Sequence, residues 1–196
     1  MAIELTGKVE GSVRKHNEAT LQAVWDNALL VLPHEQDPEH VIETTPAAAC
    51  NECFSDRYPT LIFAHGSSGI TTAIREFARF IAQETGWAVV VPDSMQTKDR
   101  ITYVSPVARS DYEAVHAMRS EELLYCAKKL FAEPWFGGTY AVAGTSEGVW
   151  RPLVLIPALW RSAKRPSSFS RGRVSRITTL KILVRYCLTT SRFSTS

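Results

Sequence analysis

The sequence predicts an α/β fold: a parallel sheet flanked by helices, incomplete at its C-terminal end. Three observations predict it. The short runs Thr60–Ala64, Trp87–Val91 and Thr139–Ala143 are apolar on both alternating faces, as strands buried in a parallel sheet are. Segments with helical periodicity separate them, each long enough for the crossover that a parallel pair requires. The alternation then stops near residue 148, where the composition changes abruptly.

The first 57 residues form a poorly defined N-terminal segment. Within it Ala28–Leu32 reads as a strand ended by Pro33, and Glu35 to Asp56, rich in acids, Pro and Ala, reads as loop. Residues 58–149 hold the partial α/β core. Its first strand, Thr60–Ala64, ends at His65-Gly66. Ile74, Phe77, Ala78 and Ile81 then recur at helical spacing until Gly86 closes the helix. Trp87–Val91 is the second strand, stopped by Pro92-Asp93-Ser94. Ser110 and Glu113 have the spacing of a capping box, which would open a second helix. Val115, Met118, Ala127 and Leu130 mark its apolar side and Pro134 its limit. Gly137-Gly138 turns the chain into the third strand, Thr139–Ala143.

Composition excludes several classes. With 45% hydrophobic and 21% charged residues in 196, the chain is neither wholesale disordered nor collagen-like, and four cysteines make no disulfide framework. The longest apolar stretch, Leu153–Trp160, contains Pro157 and is far short of the ~20 residues of a membrane span. The N-terminus lacks a basic start followed by an apolar core, so no secretory signal is read and a cytoplasmic location is expected. Charge is divided unevenly. Residues 1–150 carry 12 Lys and Arg against all 20 Asp and Glu, a net of −8, whereas residues 151–196 carry 10 Lys and Arg and no acid. Residues 150–196 therefore read as a separate basic tail, rich in Ser and Arg.

The third strand runs into Gly144-Thr145-Ser146-Glu147-Gly148, a G-x-S-x-G motif. A serine at a sharp strand-to-helix turn needs glycine on both sides, because the turn leaves no room for neighbouring side chains. Such a turn lifts the hydroxyl above the sheet edge. A second glycine-rich loop, His65-Gly66-Ser67-Ser68-Gly69, follows the first strand of the core. It can supply one backbone N–H of an oxyanion hole, from Ser67 or Ser68. The N–H of Glu147 supplies the other. The alternative is an ordinary turn at a strand end.

With Tyr58–Gly66, Val91-Pro92-Asp93-Ser94 and Gly144–Gly148 in place, residues 58–148 resemble the α/β-hydrolase superfamily, most closely its dienelactone-hydrolase-like branch. The resemblance implies a serine hydrolase acting on small-molecule esters or lactones through an acyl-enzyme. Ser146 would be the nucleophile, Glu147 and Ser67 the oxyanion donors, and His65 and Gly66 the support of the loop. This chemistry calls for no metal or organic cofactor.

The pattern departs from the family where the acid and base should follow the serine. No Asp, Glu or His follows residue 147. Pro152, about six residues into the expected nucleophile helix, costs ~3 kcal/mol there. Ile177–Tyr186 offers one later strand, not several. Together these features point to a truncation or shift of reading frame near Gly148 or Val149, with a genuine basic extension as the alternative, and to little or no turnover by this polypeptide. His65 reads as a brace of its loop, His116 as a surface or satisfied helix residue, and Asp93 as a turn carboxylate. Cys50 and Cys53, with His34 and His40, do not match zinc-finger order and read as loop thiols, Cys126 as core. The rival function is non-catalytic: a basic-tailed binding protein on a degenerate scaffold, holding nucleic acid weakly and without sequence preference.

Overall fold

The structure, a computed structural model, describes residues 6–34, 37, 40–49 and 54–148. In chain order its elements are β1 (Lys8–Glu10), α1 (Glu18–Asp26), β2 (Leu29–Pro33), β3 (Val41–Thr44), the single turn α2 (Pro46–Ala49), β4 (Tyr58–Ala64), α3 (Thr72–Thr85), β5 (Ala88–Val91), β6 (Thr102–Val104), α4 (Arg109–Leu130) and β7 (Phe136–Gly144). Short 3-10 turns at Ser94–Gln96 and Ser146–Gly148 follow β5 and β7.

The main sheet has the order β3-β2-β5-β4-β7. Alternation along its strands explains why both faces are apolar. Leu30, Leu32, Ile62, Ala88 and Val90 pack on one side with Trp25 of α1, Leu123, Cys126 and Leu130 of α4, and Trp135. Leu29, Val31, Leu61, Phe63, Val89 and Val91 pack on the other with Ala78, Ile81 and Ala82 of α3. α3 begins at Thr71, whose side chain accepts the N–H of Ile74, and ends at Gly86 in the left-handed conformation, φ 69°.

The expected parallel sheet is corrected by this topology. In the main sheet, among the described residues, parallel pairing is confined to β4 with β5 and β4 with β7. β2 runs antiparallel to both β3 and β5, so the sheet is mixed, and β1 and β6 form a separate two-stranded antiparallel sheet. The connection from β2 to β3 is too short for a crossover, so the chain returns as a hairpin. Three local expectations are corrected with it. The segment read as loop from Glu35 to Asp56 contains β3 and α2. No side chain caps α4, which starts after Ala108; Glu113 pairs instead with Arg109, at 2.7 Å. Gly137 and Gly138 lie inside β7, near a register shift against β4, rather than ahead of it.

No helix among the described residues is long and apolar enough to cross a membrane. The basic tail, the strand read at Ile177–Tyr186, the helix after the serine turn, Cys50, Cys53 and Cys187 all lie outside the described residues.

Candidate functional site

β4 and β7 end side by side, Ala64 opposite Gly144, and Thr145 N–H donates to the Ala64 carbonyl at 3.0 Å. The pairing brings the two glycine-rich segments together, although 79 residues separate Ser67 from Ser146 in the chain. Ser146 is exposed and sits at φ 51°. A side chain in this left-handed region costs about 1–2 kcal/mol and persists only where its surroundings hold it there. Here they do. A methyl on Gly144 would lie 2.4 Å from the Gly148 carbonyl oxygen, and one on Gly148 would lie 2.3 Å from that of Ala64. The turn folds on itself so tightly that only glycine fits at either side.

The loop after β4 meets this turn at Gly66, where a methyl would stand 3.2 Å from Ser146 Cβ and 3.8 Å from its Oγ. Ser67 and Ser68 are exposed beside it. The Ser67 N–H makes no backbone hydrogen bond among the described residues. A cleft of about 290 Å³ opens next to the loop, with Ser68, Gly69, Thr45, Asp93 and Met95 in its wall.

His65 is fully buried. Its Nδ1 lies 2.6 Å from the Gly66 carbonyl and its Nε2 3.2 Å from the Ser94 N–H. One neutral tautomer satisfies both contacts, Nδ1–H donating and Nε2 accepting. Burial, with the Arg119 charge adding to it, pushes the imidazole below its ordinary value and favours that neutral form. Both ring nitrogens are thereby engaged in holding the loop, and neither is directed to Ser146. His16 is equally committed, with Nε2 3.0 Å from Glu122 and Nδ1 3.3 Å from Thr20 Oγ1. His116 is buried on α4. Asp93 accepts from the Met95 N–H and from Gln96 and so caps the turn after β5. Among the described residues no hydrogen bond joins Ser146 Oγ to a histidine. The same residues contain no group of three metal-ligating side chains.

Sequence reasoning missed the charge buried under the site. Glu147 enters the sequence argument only through its backbone, yet its carboxylate is 2% exposed and accepts from Arg100 Nη1 at 2.8 Å. Arg119 and Glu122, three residues apart on α4, are 3% and 1% exposed and pair at 2.6 Å. Burial alone would push the Glu122 carboxyl up. Arg119, His16 and Ser94 outweigh it and hold the group below the ordinary carboxylate value. The available signal was positional: Arg119 and Glu122 interrupt the apolar stripe of Val115, Met118, Leu123 and Cys126. No family model, curated protein or solved structure matches the chain.

Proposed function

We propose that this chain carries the acyl-accepting part of a serine hydrolase for small ester or lactone substrates, of the dienelactone-hydrolase-like kind that the motifs resemble. The observation that carries the reading is Ser146: exposed, at φ 51°, between two glycines that have no room for a side chain. Strain of that sort persists where the surrounding structure maintains it, and a nucleophile turn is a recurrent reason to maintain it. In the proposed reaction Ser146 Oγ bonds to the carbonyl carbon, its proton passes to solvent water, and the bond to the leaving alkoxide breaks, the alkoxide taking a proton from solvent. The N–H groups of Glu147 and Ser67 accommodate the negative oxygen of the intermediate.

His16 and His65 hold other partners through both ring nitrogens, so neither is directed to take the proton. Backbone donors placed for the negative oxygen still favour addition of a serine hydroxyl to a carbonyl, though an unactivated hydroxyl reacts slowly. The expected behaviour is slow covalent capture without catalytic turnover. A fluorophosphonate probe should label Ser146 in preference to the exposed Ser67 and Ser68, as read by peptide mass spectrometry. Hydrolysis of p-nitrophenyl acetate should not exceed that of Ser146→Ala. Label spread evenly over exposed serines would overturn the nucleophile assignment. Rapid turnover abolished in Ser146→Ala would overturn the missing base.

A further inference from the structure

We infer that Arg119 is the positioning residue of this site, locking the loop after β4 and the serine turn after β7 into one frame. The inference rests on the serine-hydrolase reading above and names what holds its two oxyanion donors in place. Ser67 and Glu147 belong to different segments. A hole built from both works only if the segments keep a fixed separation, to within about half an ångström. The backbone between β4 and β7 fixes the feet of the two segments through the Thr145 to Ala64 hydrogen bond. Nothing in that ladder fixes their upper parts.

Arg119 reaches both. Its Nη2 donates to the His65 carbonyl, at the root of the loop, at 2.7 Å. Its Nη1 donates to Glu122 at 2.6 Å, and its Nε lies 3.8 Å from the Glu147 carboxylate. A closed circuit completes the brace. Glu122 accepts from Ser94 Oγ at 2.6 Å, the Ser94 N–H donates to His65 Nε2 at 3.2 Å, and the His65 carbonyl returns to Arg119. Arg100 donates to the same Glu147 carboxylate oxygen at 2.8 Å, and is itself tied by the Val13 bridge to the N-terminal segment. Two arginines and two glutamates balance in charge, which offsets much of the cost of burial, while Arg119 Nε and the Nε and Nη2 of Arg100 find no hydrogen-bond partner among the described residues. The three-way contact requires a planar guanidinium. A lysine ammonium has three donors but they radiate from one nitrogen, so it does not reproduce contacts that Arg119 makes through separate nitrogens of its fork.

The test compares the rate of Ser146 labelling by a fluorophosphonate in the full chain and in Arg119→Lys. Far-UV circular dichroism and a thermal melt are recorded on the same samples. Arg119→Lys keeps the charge and loses the fork. It should label Ser146 at least tenfold more slowly, at a temperature where it is fully folded, with labelling of other serines unchanged. A merely structural role would lower the melting temperature and leave that rate alone, so an unchanged rate in folded Arg119→Lys overturns the inference. If Arg119→Lys does not fold, Glu147→Gln asks the same question, since it keeps the backbone N–H and the shape but removes the charge that Arg119 faces. Its Ser146 rate should fall several-fold, and an unchanged rate overturns the inference. Failure of the wild-type chain to label at Ser146 is a distinct result, which refutes the hydrolase reading and this inference with it.

Discussion

Two glutamates on one helix give a direct measure of what burial does to an ion pair. Glu122 and Glu113 both lie on α4 and both pair with an arginine one turn away, at 2.6 and 2.7 Å. Their surroundings differ. The Arg109–Glu113 side chains are 91% and 57% exposed, those of Arg119 and Glu122 3% and 1%. Glu113→Gln should therefore cost only a few tenths of a kcal/mol, because water replaces the lost partner. Glu122→Gln leaves the buried Arg119 charge without its hydrogen-bonded counter-ion, with only Glu147, already paired with Arg100, at 3.8 Å. That typically costs about 3–5 kcal/mol, or roughly 6–20 °C in melting temperature for a chain of this size. Urea unfolding of wild type and both variants checks it. The midpoint should move far for Glu122→Gln and hardly for Glu113→Gln, with similar slopes. Equal shifts in the two variants, or a loss under about 1 kcal/mol at Glu122, would refute the argument that this network is dry and tightly paired.

The remaining predictions concern the turn and acid. Gly144→Ala should destabilise more than Gly138→Ala: the first methyl meets backbone oxygen at 2.4 Å, whereas the second pays only for φ 78°, with nothing within 4 Å. Overpacking against immobile backbone costs about 1–3 kcal/mol or more, the left-handed conformation alone about 1–2 kcal/mol, and the order of the two urea midpoints tests the comparison. Acidification should lower stability in two stages. His65 is held below its ordinary 6.5, so the unfolded chain takes up protons first and stability drops as pH falls below that value towards the folded one, being flat above it. Glu122 is held below its ordinary 4.5, so its contribution is present above that value and is lost as pH falls through the folded one. Urea midpoints measured from pH 7.5 downwards should show both stages, and Glu122→Gln should lack the lower.

Much of the core was legible because its signals are local. Three strands announce themselves as runs apolar on both faces, and β4, β5 and β7 occupy those positions with somewhat different limits, although Thr139 of β7 is exposed and Tyr140, Ala141 and Ala143 are only half-buried. Gly86 ends α3 as its lack of Cβ suggests. Other elements carry too little local signal. β1 and β6 are three residues each, β3 is four and only partly buried. α1 begins with a reciprocal cap between Asn17 and Thr20, in which Thr20 stands where the usual pattern has Glu or Gln. β2 was visible as a strand, but its direction was not, because direction depends on which neighbour a strand meets. The helix start assigned to Ser110 and Glu113 failed for a related reason: the matching spacing did not reveal that Glu113 would turn to Arg109.

The candidate site divides along the same line. By itself the sequence determined the serine turn, since Gly144, Ser146 and Gly148 sit together after an apolar strand and their constraints act over five residues. It also determined the glycine-rich loop at His65 to Gly69, for the same local reason. The tertiary structure alone decided what lies beneath them. Arg100 meets Glu147 across 47 positions, Arg119 meets His65 across 54, and His16 meets Glu122 across 106. Charged side chains are ordinarily left at the surface, so residue type argued against their burial. The packing of α4, together with Arg100 and His16 from other segments, against the ends of β4 and β7 removes water from these groups, and a charge without water must look to the protein for its partner.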